Sequence, residues 1–373
     1  MANQDLITFC AVGDWVPGRD DPETTFALTT PILKNADIAF LQLERILSDR
    51  PDMALCRQVY RKPAEAAKAL TNAGINVVSV AGNHHMNAGP GGFIDTLTVL
   101  KQNKILPVGV GMNIAEARKA GIIERKGVKV AFLGYSSIIP KAEILWDAGA
   151  TTPGCAPMYV STFYEQTDWQ PGTPPKIITV ANKQDLAAMV EDIKRAKSQA
   201  DIVIVSQHWG VHYLEGVIAD YEYEVGHAAI DAGADLILGN HAHVIQGIEV
   251  YRGKAIFHCI ANFASDVTHS TPGTRTRWSS LSPDRSKHEA GWGRYPEKAV
   301  QRKTMIVKCL ISGKKIEKVS YLPCMINQNA QCEPIPQTDK RSDEVKEYVE
   351  WTTQAAGMDT KFARDGDEMV VLT

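Results

Sequence analysis

Apolar runs and amphipathic stretches alternate along the first 135 residues of the chain. The runs LITFCAV, ADIAFLQLE and INVVSVAG are apolar nearly throughout, which is typical of parallel strands buried on both faces. The spacing of apolar residues between and after them predicts helices near 22–35, 63–72 and 92–103. GIIERKGVKVAFLGYS predicts a hairpin that turns at Lys126 and Gly127. This alternation predicts an α/β fold.

The same alternation continues in the second half of the chain. Helices are predicted near 183–198 and 219–232, next to the apolar strands DIVIVSQ and DLILG. The segments KAIFHCIANF, TMIVKCLIS and KIEKVSYLP predict later strands, which we expect to be antiparallel. A last helical stretch is predicted near 341–356.

Two irregular segments interrupt the pattern and are expected to be lid-like insertions. Residues 140–176 are rich in proline and aromatic residues, and residues 265–300 are polar and rich in arginine and tryptophan. Long irregular segments of compact domains often serve as lids or binding loops. We therefore expect residues 1–330 to form a single domain with these two insertions, followed by a C-terminal helical appendage at 331–373.

The composition excludes several classes of protein. Of the 373 residues, 44% are hydrophobic and 22% are charged, which is sufficient for a substantial core. The net charge of −3 gives no electrostatic reason to expect nucleic acid or a membrane as a partner, and no apolar run reaches the roughly 18 residues of a membrane span. The stretch MANQDLITFCAVGD has no basic n-region and no cleavage site, so we do not expect it to be a signal peptide, and the seven cysteines show no CxxC spacing. These features predict a cytoplasmic protein.

Candidate metal ligands occur where predicted strands end. His241 and His243 follow the apolar run LILG, and residues two apart in an extended chain point to the same side. Neutral imidazole is a common ligand of Zn, Mn and Fe. Four other strand ends carry acids, an amide or an imidazole, at Asp14, Glu44, Asn83 with His84, and His208. Alone, each could be a turn, a helix cap or a core residue. Together they predict a metal site at the edge where α/β sheets place their sites.

These residue types suit a centre with two divalent ions. Two ions roughly 3.5–4 Å apart can hold an attacking hydroxide and stabilise the oxyanion that develops on a substrate. A carboxylate can bridge the ions, while imidazoles and an amide add ligands without excessive negative charge. A free histidine beside a ligand asparagine can donate a proton to the leaving group. Mn, Zn and Fe suit this ligand set about equally.

The motifs resemble the CapA family, the poly-γ-glutamate capsule-synthesis branch of the calcineurin-like metallophosphoesterases, from about residue 6 to about residue 265. GDWVPGR looks like the family's opening motif, LQLE like its second motif and AGNHHMNAG like its third. HWG, HAAIDAGADLILGNHAHVIQG and ANF look like its remaining blocks. The resemblance implies a four-layer αββα sandwich of two mixed β-sheets flanked by helices, with metals at the strand ends.

The resemblance also implies a ligand assignment. One metal would take Asp14, Glu44 and His243, and the other would take Glu44, Asn83, His208 and His241. Glu44 would bridge the two, and His84 would be the catalytic proton donor. The sequence departs from the superfamily pattern at Val16, where phosphoesterases carry a histidine, and also at Gln42 and Asn87. The first metal site therefore keeps the imidazole of His243 but loses the one that a histidine at position 16 would supply.

The expected activity is metal-dependent hydrolysis of a small anionic substrate. An amide of γ-glutamyl-like or lactam type, attacked by a metal-bound hydroxide, is favoured over a phosphoester. Two alternatives remain open: a phosphoesterase acting on a nucleotide or sugar phosphate, and a non-catalytic, metal-binding accessory protein of capsule synthesis. A guanidinium group binds carboxylate or phosphate through two hydrogen bonds. The candidate substrate-binding arginines are Arg19, Arg45, Arg275, Arg277 and Arg294. The oligomeric state is not predicted.

Overall fold

The computed structural model describes residues 6–50, 59–139, 146–266, 295 and 299–373. Its strands are β1 (Leu6–Val16), β2 (Ile38–Leu43), β3 (Ile46–Leu47), β4 (Val59–Tyr60), β5 (Val77–Ser79), β6 (Leu106–Val108), β7 (Val110–Gly111), β8 (Gly121–Arg125), β9 (Val128–Ser136), β10 (Gly154–Cys155), β11 (Val160–Glu165), β12 (Lys176–Ala181), β13 (Ile202–His208), β14 (Leu236–Asn240), β15 (Ile248–Tyr251), β16 (Lys254–Phe257), β17 (Asn262–Ser265), β18 (Lys303–Ser312), β19 (Lys315–Ile326), β20 (Cys332–Pro334), β21 (Lys361–Asp365) and β22 (Glu368–Leu372). Its α-helices are α1 (Thr30–Lys34), α2 (Pro63–Ala73), α3 (Gly89–Gln102), α4 (Ile114–Ala117), α5 (Lys183–Lys197), α6 (Asp220–Ala232) and α7 (Arg341–Ala355). Short 3-10 helices span Pro22–Phe26 and Ala299–Arg302.

Two mixed β-sheets carry the fold. The larger sheet has ten strands in the order β21-β22-β19-β18-β1-β2-β5-β6, with β17 paired to β1 and β20 paired to β19. The smaller sheet has six strands in the order β15-β16-β14-β13-β9-β8. In the larger sheet, the half from β1 to β6 is parallel and the half from β18 to β21 is antiparallel. In the smaller sheet, four central parallel strands have one antiparallel strand on each side. Both are therefore mixed sheets, as the sequence predicts.

The sheets pack face to face, and helices cover their outer faces. Phe9 and Phe40 of the larger sheet meet Phe132 of the smaller one, with ring centroids 6.0 and 6.3 Å apart. Alternate residues of β1, such as Val12, point the other way into a core shared with α2 and α3. A third core lies between the smaller sheet and α5 and α6. The predicted four-layer αββα sandwich is confirmed.

The parallel strands end at one edge and place the candidate ligands there. Asp14 lies near the end of β1, and Glu44 directly follows β2. His208 is the last residue of β13, and His241 directly follows β14. Because these four strands are central in their sheets, their carboxyl ends bring residues distant in sequence to one place.

Most predicted helices are confirmed, but three predictions are wrong. The strands of KAIFHCIANF are not only antiparallel, because β16 is parallel to β14 and β17 is parallel to β1. The segment 22–35 forms a 3-10 helix and the five-residue α1 instead of one helix, because a second helix starts at Thr30 with a proline in its first turn. The segment 331–373 is not a helical appendage. It contains α7, but β20 and β22 pair with β19, and Val345 and Val371 are buried between the sheets.

The expected insertions are described only in part. From residue 146 onward, β10 pairs with β7, and β11 and β12 form a hairpin whose Ala181 amide donates to Glu224 of α6. Residues 140–145 and most of 265–300 lie outside the described residues, so the lids remain a prediction. Across the described helices, none is both long and apolar enough to cross a membrane.

Candidate metal centre

Tight backbone contacts position the ligands of β1 and of the loop after β14. A Cβ atom at Gly13 would lie 1.9 Å from the carbonyl oxygen of Ala261, so only glycine allows this approach. The Asp14 amide then donates to the same oxygen at 3.1 Å. His241 and His243 have φ values of 91° and 57°, in the left-handed region that costs energy for residues other than glycine. Such strain is common at functional sites.

Three of the predicted ligands lie around a fourth, His208. Its Nε2 atom lies 2.9 Å from Asn83 Oδ1, 3.1 Å from His241 Nδ1 and 3.6 Å from Glu44 Oε2. Neighbouring ligands bonded to one octahedral ion at about 2.1 Å stand about 3 Å apart. The ligand atoms of Glu44, His208 and His241 all lie within 4.8 Å of one another. This group has the spacing that one divalent ion requires.

A second group of ligands surrounds Asp14. Its Oδ2 atom lies 3.4 Å from His243 Nδ1 and accepts a hydrogen bond of 3.1 Å from the backbone amide of His241. Asn262 Oδ1, which the sequence analysis does not name as a site residue, lies 2.8 Å from the same His243 nitrogen. Asn262 belongs to the ANF block, so a signal for it is present in the sequence without a role attached.

Among the described residues, the buried carboxylates of the centre have oxygens without hydrogen-bond partners. Asp14 and Glu44 are buried, and the described residues provide no hydrogen-bond partner for Asp14 Oδ1 or for either Glu44 carboxylate oxygen. Burial, together with the charge of Asp14, raises the pKa of Glu44 well above its ordinary value. An unpaired buried carboxylate is costly, and a divalent cation would compensate it. The residues therefore fit a metal centre.

The imidazoles are in the state that metal binding needs. Burial and the neighbouring histidines lower the pKa values of His208 and His241 well below the ordinary value. Both rings are therefore neutral at physiological pH, and a neutral ring nitrogen carries the lone pair that binds a metal.

His84 lies beside the ligands with one ring nitrogen directed at them. The Asn87 amide nitrogen lies 2.7 Å from His84 Nδ1, and the Asn83 amide nitrogen lies 3.4 Å from Nε2. Nε2 lies 3.8 Å from Glu44 Oε1, and the side chain keeps 22% of its surface exposed. Burial first, and the nearby His243 second, lower the pKa of His84 to about 4. Asn87, a departure from the family pattern, thus orients the histidine that the sequence analysis assigns to proton donation.

His212 joins the cluster, although it is not among the predicted ligands. Its ring stacks on that of His241 with centroids 3.9 Å apart, and it lies 5.2 Å from the ring of His243. The adjacent Tyr213 amide donates to the Ala242 oxygen at 2.8 Å and fixes this loop against the His-Ala-His turn. The loop after β13 therefore covers one side of the site.

The predicted substrate-binding arginines do not share one place. Arg19 is buried and forms a two-pronged ion pair with Asp266, at 2.7 and 2.8 Å, and it also donates to the backbone oxygens of residues 329 and 330. The structure thus gives Arg19 a structural role in place of the expected contact with substrate. Arg45 follows Glu44 directly and donates to the Pro17 oxygen at 2.6 Å. The other three candidates, Arg275, Arg277 and Arg294, lie outside the described residues.

A buried network of charged residues lies next to Trp209, the first residue of the loop after β13. His258 lies between Glu222 and Glu249, with nitrogen-to-oxygen distances of 3.6 and 3.2 Å. Burial disfavours the charged imidazole, but the two carboxylates outweigh it and raise the pKa of His258. The Trp209 ring stacks on His258 and its Nε1 donates to the His258 oxygen at 2.7 Å. Trp209 directly follows His208, so this network holds a ligand strand in place.

Comparison with known proteins places these motifs in a family context. The profile of a family described as "Bacterial capsule synthesis protein PGA_cap" matches residues 8–267. The PGA biosynthesis protein CapA of Bacillus subtilis is 29% identical over 290 residues, which cover 75% of this chain and 67% of that protein. A protein of Mycobacterium tuberculosis named "Probable polyglutamine synthesis accessory protein" is 29% identical over 242 residues, covering 63% of this chain and 58% of that protein. The structure of the calcineurin-like phosphoesterase YfkN from Bacillus subtilis aligns with a TM-score of 0.43 and 11% identity, over 95% of this chain and 98% of that one.

Proposed function

This chain belongs to the family of bacterial capsule synthesis proteins, and we propose that it is a hydrolase dependent on two divalent metal ions. Its substrate is a small anionic molecule, and the bond it cleaves is an amide of γ-glutamyl-like or lactam type. Mn²⁺, Zn²⁺ and Fe²⁺ are the candidate ions for this set of imidazole, carboxylate and amide ligands.

The Glu44 carboxylate is the observation that carries the proposal. It is buried, its oxygens have no hydrogen-bond partner among the described residues, and it lies within 4.8 Å of ligand atoms of His208 and His241. Oε2 is 3.6 Å from His208 Nε2, and burial, together with the charge of Asp14, raises the pKa of Glu44. A buried carboxylate whose oxygens have no partners among the described residues would hold the cations and balance their charge. Bound divalent ions would supply Lewis-acid catalysis and lower the pKa of water at the site.

The protein residues around the ligands have distinct tasks in this proposal. His84, whose ring is held by Asn87, is the proton donor to the leaving group or the hydrogen-bond donor to the developing oxyanion of the substrate. Arg45 is the candidate for binding the carboxylate of the substrate, since it directly follows the bridging residue. The loop of His212 and Tyr213 limits access of water from one side.

Two features favour an amide over a phosphoester. Val16 occupies the position where phosphoesterases of the superfamily resembled here carry an imidazole, so the first site has a different ligand set. The Bacillus subtilis relative is named for biosynthesis of PGA. In the poly-γ-glutamate branch that the sequence resembles, the polymer contains amide bonds.

Two chromogenic substrates test the proposal directly. The protein would be reconstituted with Mn²⁺, Zn²⁺ or Fe²⁺ and offered γ-glutamyl-p-nitroanilide and bis-p-nitrophenyl phosphate in parallel. We expect release of p-nitroaniline that disappears in the His241→Ala variant and in chelator. Preferential cleavage of the phosphodiester would contradict the amide specificity.

A non-catalytic accessory role is the second candidate, because the Mycobacterium tuberculosis relative is named as an accessory protein. This role requires the metals but not the proton held by His84. Full metal content without hydrolysis of any amide or phosphoester substrate would favour it. Loss of activity in a His84→Ala variant that retains its metals would exclude it.

A further inference from the structure

Asn262 lies beside Asp14 and His243, which are assigned to the first metal ion, on a strand that pairs with β1. The pairing of β1 and β17 is parallel, and Asp14 and Asn262 are register partners. Register partners point to the same face of a sheet, so the two side chains are neighbours. Asn262 is 5% exposed, and its Oδ1 atom lies 2.8 Å from His243 Nδ1, which is itself 3.4 Å from Asp14 Oδ2. Three potential ligand atoms therefore converge at this point.

Tyr295 fixes the orientation of the Asn262 amide. The Asn262 Nδ2 atom donates to the Tyr295 hydroxyl at 2.6 Å, and that hydroxyl donates in turn to the Gln301 oxygen at 3.1 Å. The tyrosine ring is only 1% exposed. Because the hydroxyl proton is directed to Gln301, the hydroxyl can only accept from the amide nitrogen. The amide oxygen is therefore turned toward His243 and Asp14.

We propose that Asn262 Oδ1 is a ligand of the first metal ion and completes the set formed by Asp14, Glu44 and His243. The proposal rests on the two-metal centre described above. The separations of 2.8 and 3.4 Å suit neighbouring ligands of one octahedral ion, which stand about 3 Å apart. An amide oxygen is a neutral ligand, as is the imidazole that a histidine at position 16 would provide. Asn262 thus supplies, from the neighbouring strand, the neutral ligand that Val16 does not.

The alternative is that Asn262 only accepts a hydrogen bond from His243 Nδ1 and orients that ring. Loss of such an orienting contact also weakens metal binding, typically 10–100-fold. Affinity alone therefore does not separate a ligand from an orienting residue. A new ligand at position 16 separates the two roles. A histidine there can replace a metal ligand that is lost in Asn262→Ala, but it cannot restore a hydrogen bond that orients His243.

The test is calorimetric titration of chelator-treated protein with Mn²⁺, with bound metal counted by elemental analysis. We expect wild type to bind two ions and Asn262→Ala to bind one tightly, with the affinity of the other site lowered at least about tenfold. Asn262→Asp, which retains an oxygen ligand, should bind two. The double variant Val16→His/Asn262→Ala should recover the second ion. Asn103→Ala, which follows the last residue of α3, is the control and should bind like wild type.

Each outcome distinguishes this inference from the proposed function. If wild type binds no metal, the metal centre itself is wrong. If wild type and Asn262→Ala bind two ions with equal affinity, Asn262 is not a ligand and the centre stands. If Asn262→Ala loses one ion and the folded double variant does not recover it, Asn262 acts by orienting His243, which also overturns the ligand assignment. Circular dichroism of the chelated proteins establishes that each variant is folded.

Discussion

Replacing Glu44 with glutamine should have opposite effects on stability with and without metal. In the chelated protein Glu44 is a buried carboxyl without hydrogen-bond partners among the described residues, next to Asp14. Burial, and second the charge of Asp14, raise its pKa in the folded state. A raised pKa means that the folded protein binds this proton more tightly than the unfolded chain. The resulting stability is present at low pH and is lost as the pH rises through the folded pKa.

The magnitude follows from the single proton involved. Between the ordinary pKa of 4.5 and the raised value in the folded state, wild type should lose about 1.4 kcal/mol of unfolding free energy per pH unit through this group. Glu44→Gln has nearly the same shape but does not titrate, so it lacks this slope. With metal, wild type should instead be the more stable protein, because each ion at 100 times its Kd contributes about 2.7 kcal/mol to its unfolding free energy. The variant lacks the bridging carboxylate and should lose that contribution.

The assay is urea unfolding followed by circular dichroism from pH 5 to pH 8, in chelator and then with Mn²⁺. Because both proteins contain the same histidines, the histidine contribution cancels in the difference between their unfolding free energies. Glu347→Gln, at an exposed position on α7, is the matched control and should follow wild type at every pH. An identical pH slope for wild type and Glu44→Gln in chelator would refute the reasoning. So would undiminished stabilisation of the variant by Mn²⁺.

Three further substitutions separate chemistry from structure. His84→Ala should lower kcat for the amide substrate by about 10²–10⁴-fold while the protein still binds two metal ions. Loss of metal in this variant would instead show that His84 is a ligand. His258→Leu removes the partner of the buried Glu222 and one of the two histidine partners of the half-buried Glu249. It should cost about 3–5 kcal/mol in urea unfolding, so unchanged stability would contradict the network. Arg19→Met breaks the buried ion pair with Asp266 and should likewise lower stability by about 3–5 kcal/mol. A changed KM at unchanged stability would instead show that Arg19 binds substrate.

The sequence predicts those parts of the centre that lie at strand ends. His241, His208 and Glu44 each directly follow or end an apolar run, and such runs are readable as buried strands without knowledge of the tertiary structure. The common edge then follows from the parallel arrangement of the strands. For the same reason, the predicted sandwich of two mixed sheets is confirmed.

The contacts that complete the centre depend on pairings that no local pattern encodes. Asn262 reaches the ligands only because β17 pairs with β1, and Arg19 is held by Asp266, which is 247 residues away in sequence. The terminal strands β21 and β22 are short, and they are stabilised by addition to β19 rather than by their own propensity. Asn87 orients His84 across a tight turn, and the departure from the family motif at this position does not by itself reveal that role.

The number of metal ions per chain tests the central claim most directly. Purified protein would be reconstituted with Mn²⁺, Zn²⁺ or Fe²⁺, freed of unbound ions and measured by elemental analysis beside His241→Ala. The account predicts two ions per chain in wild type, with loss from the site of Glu44, His208 and His241 in the variant. Wild-type protein that retains no metal after reconstitution, or a variant that retains both ions, would contradict it.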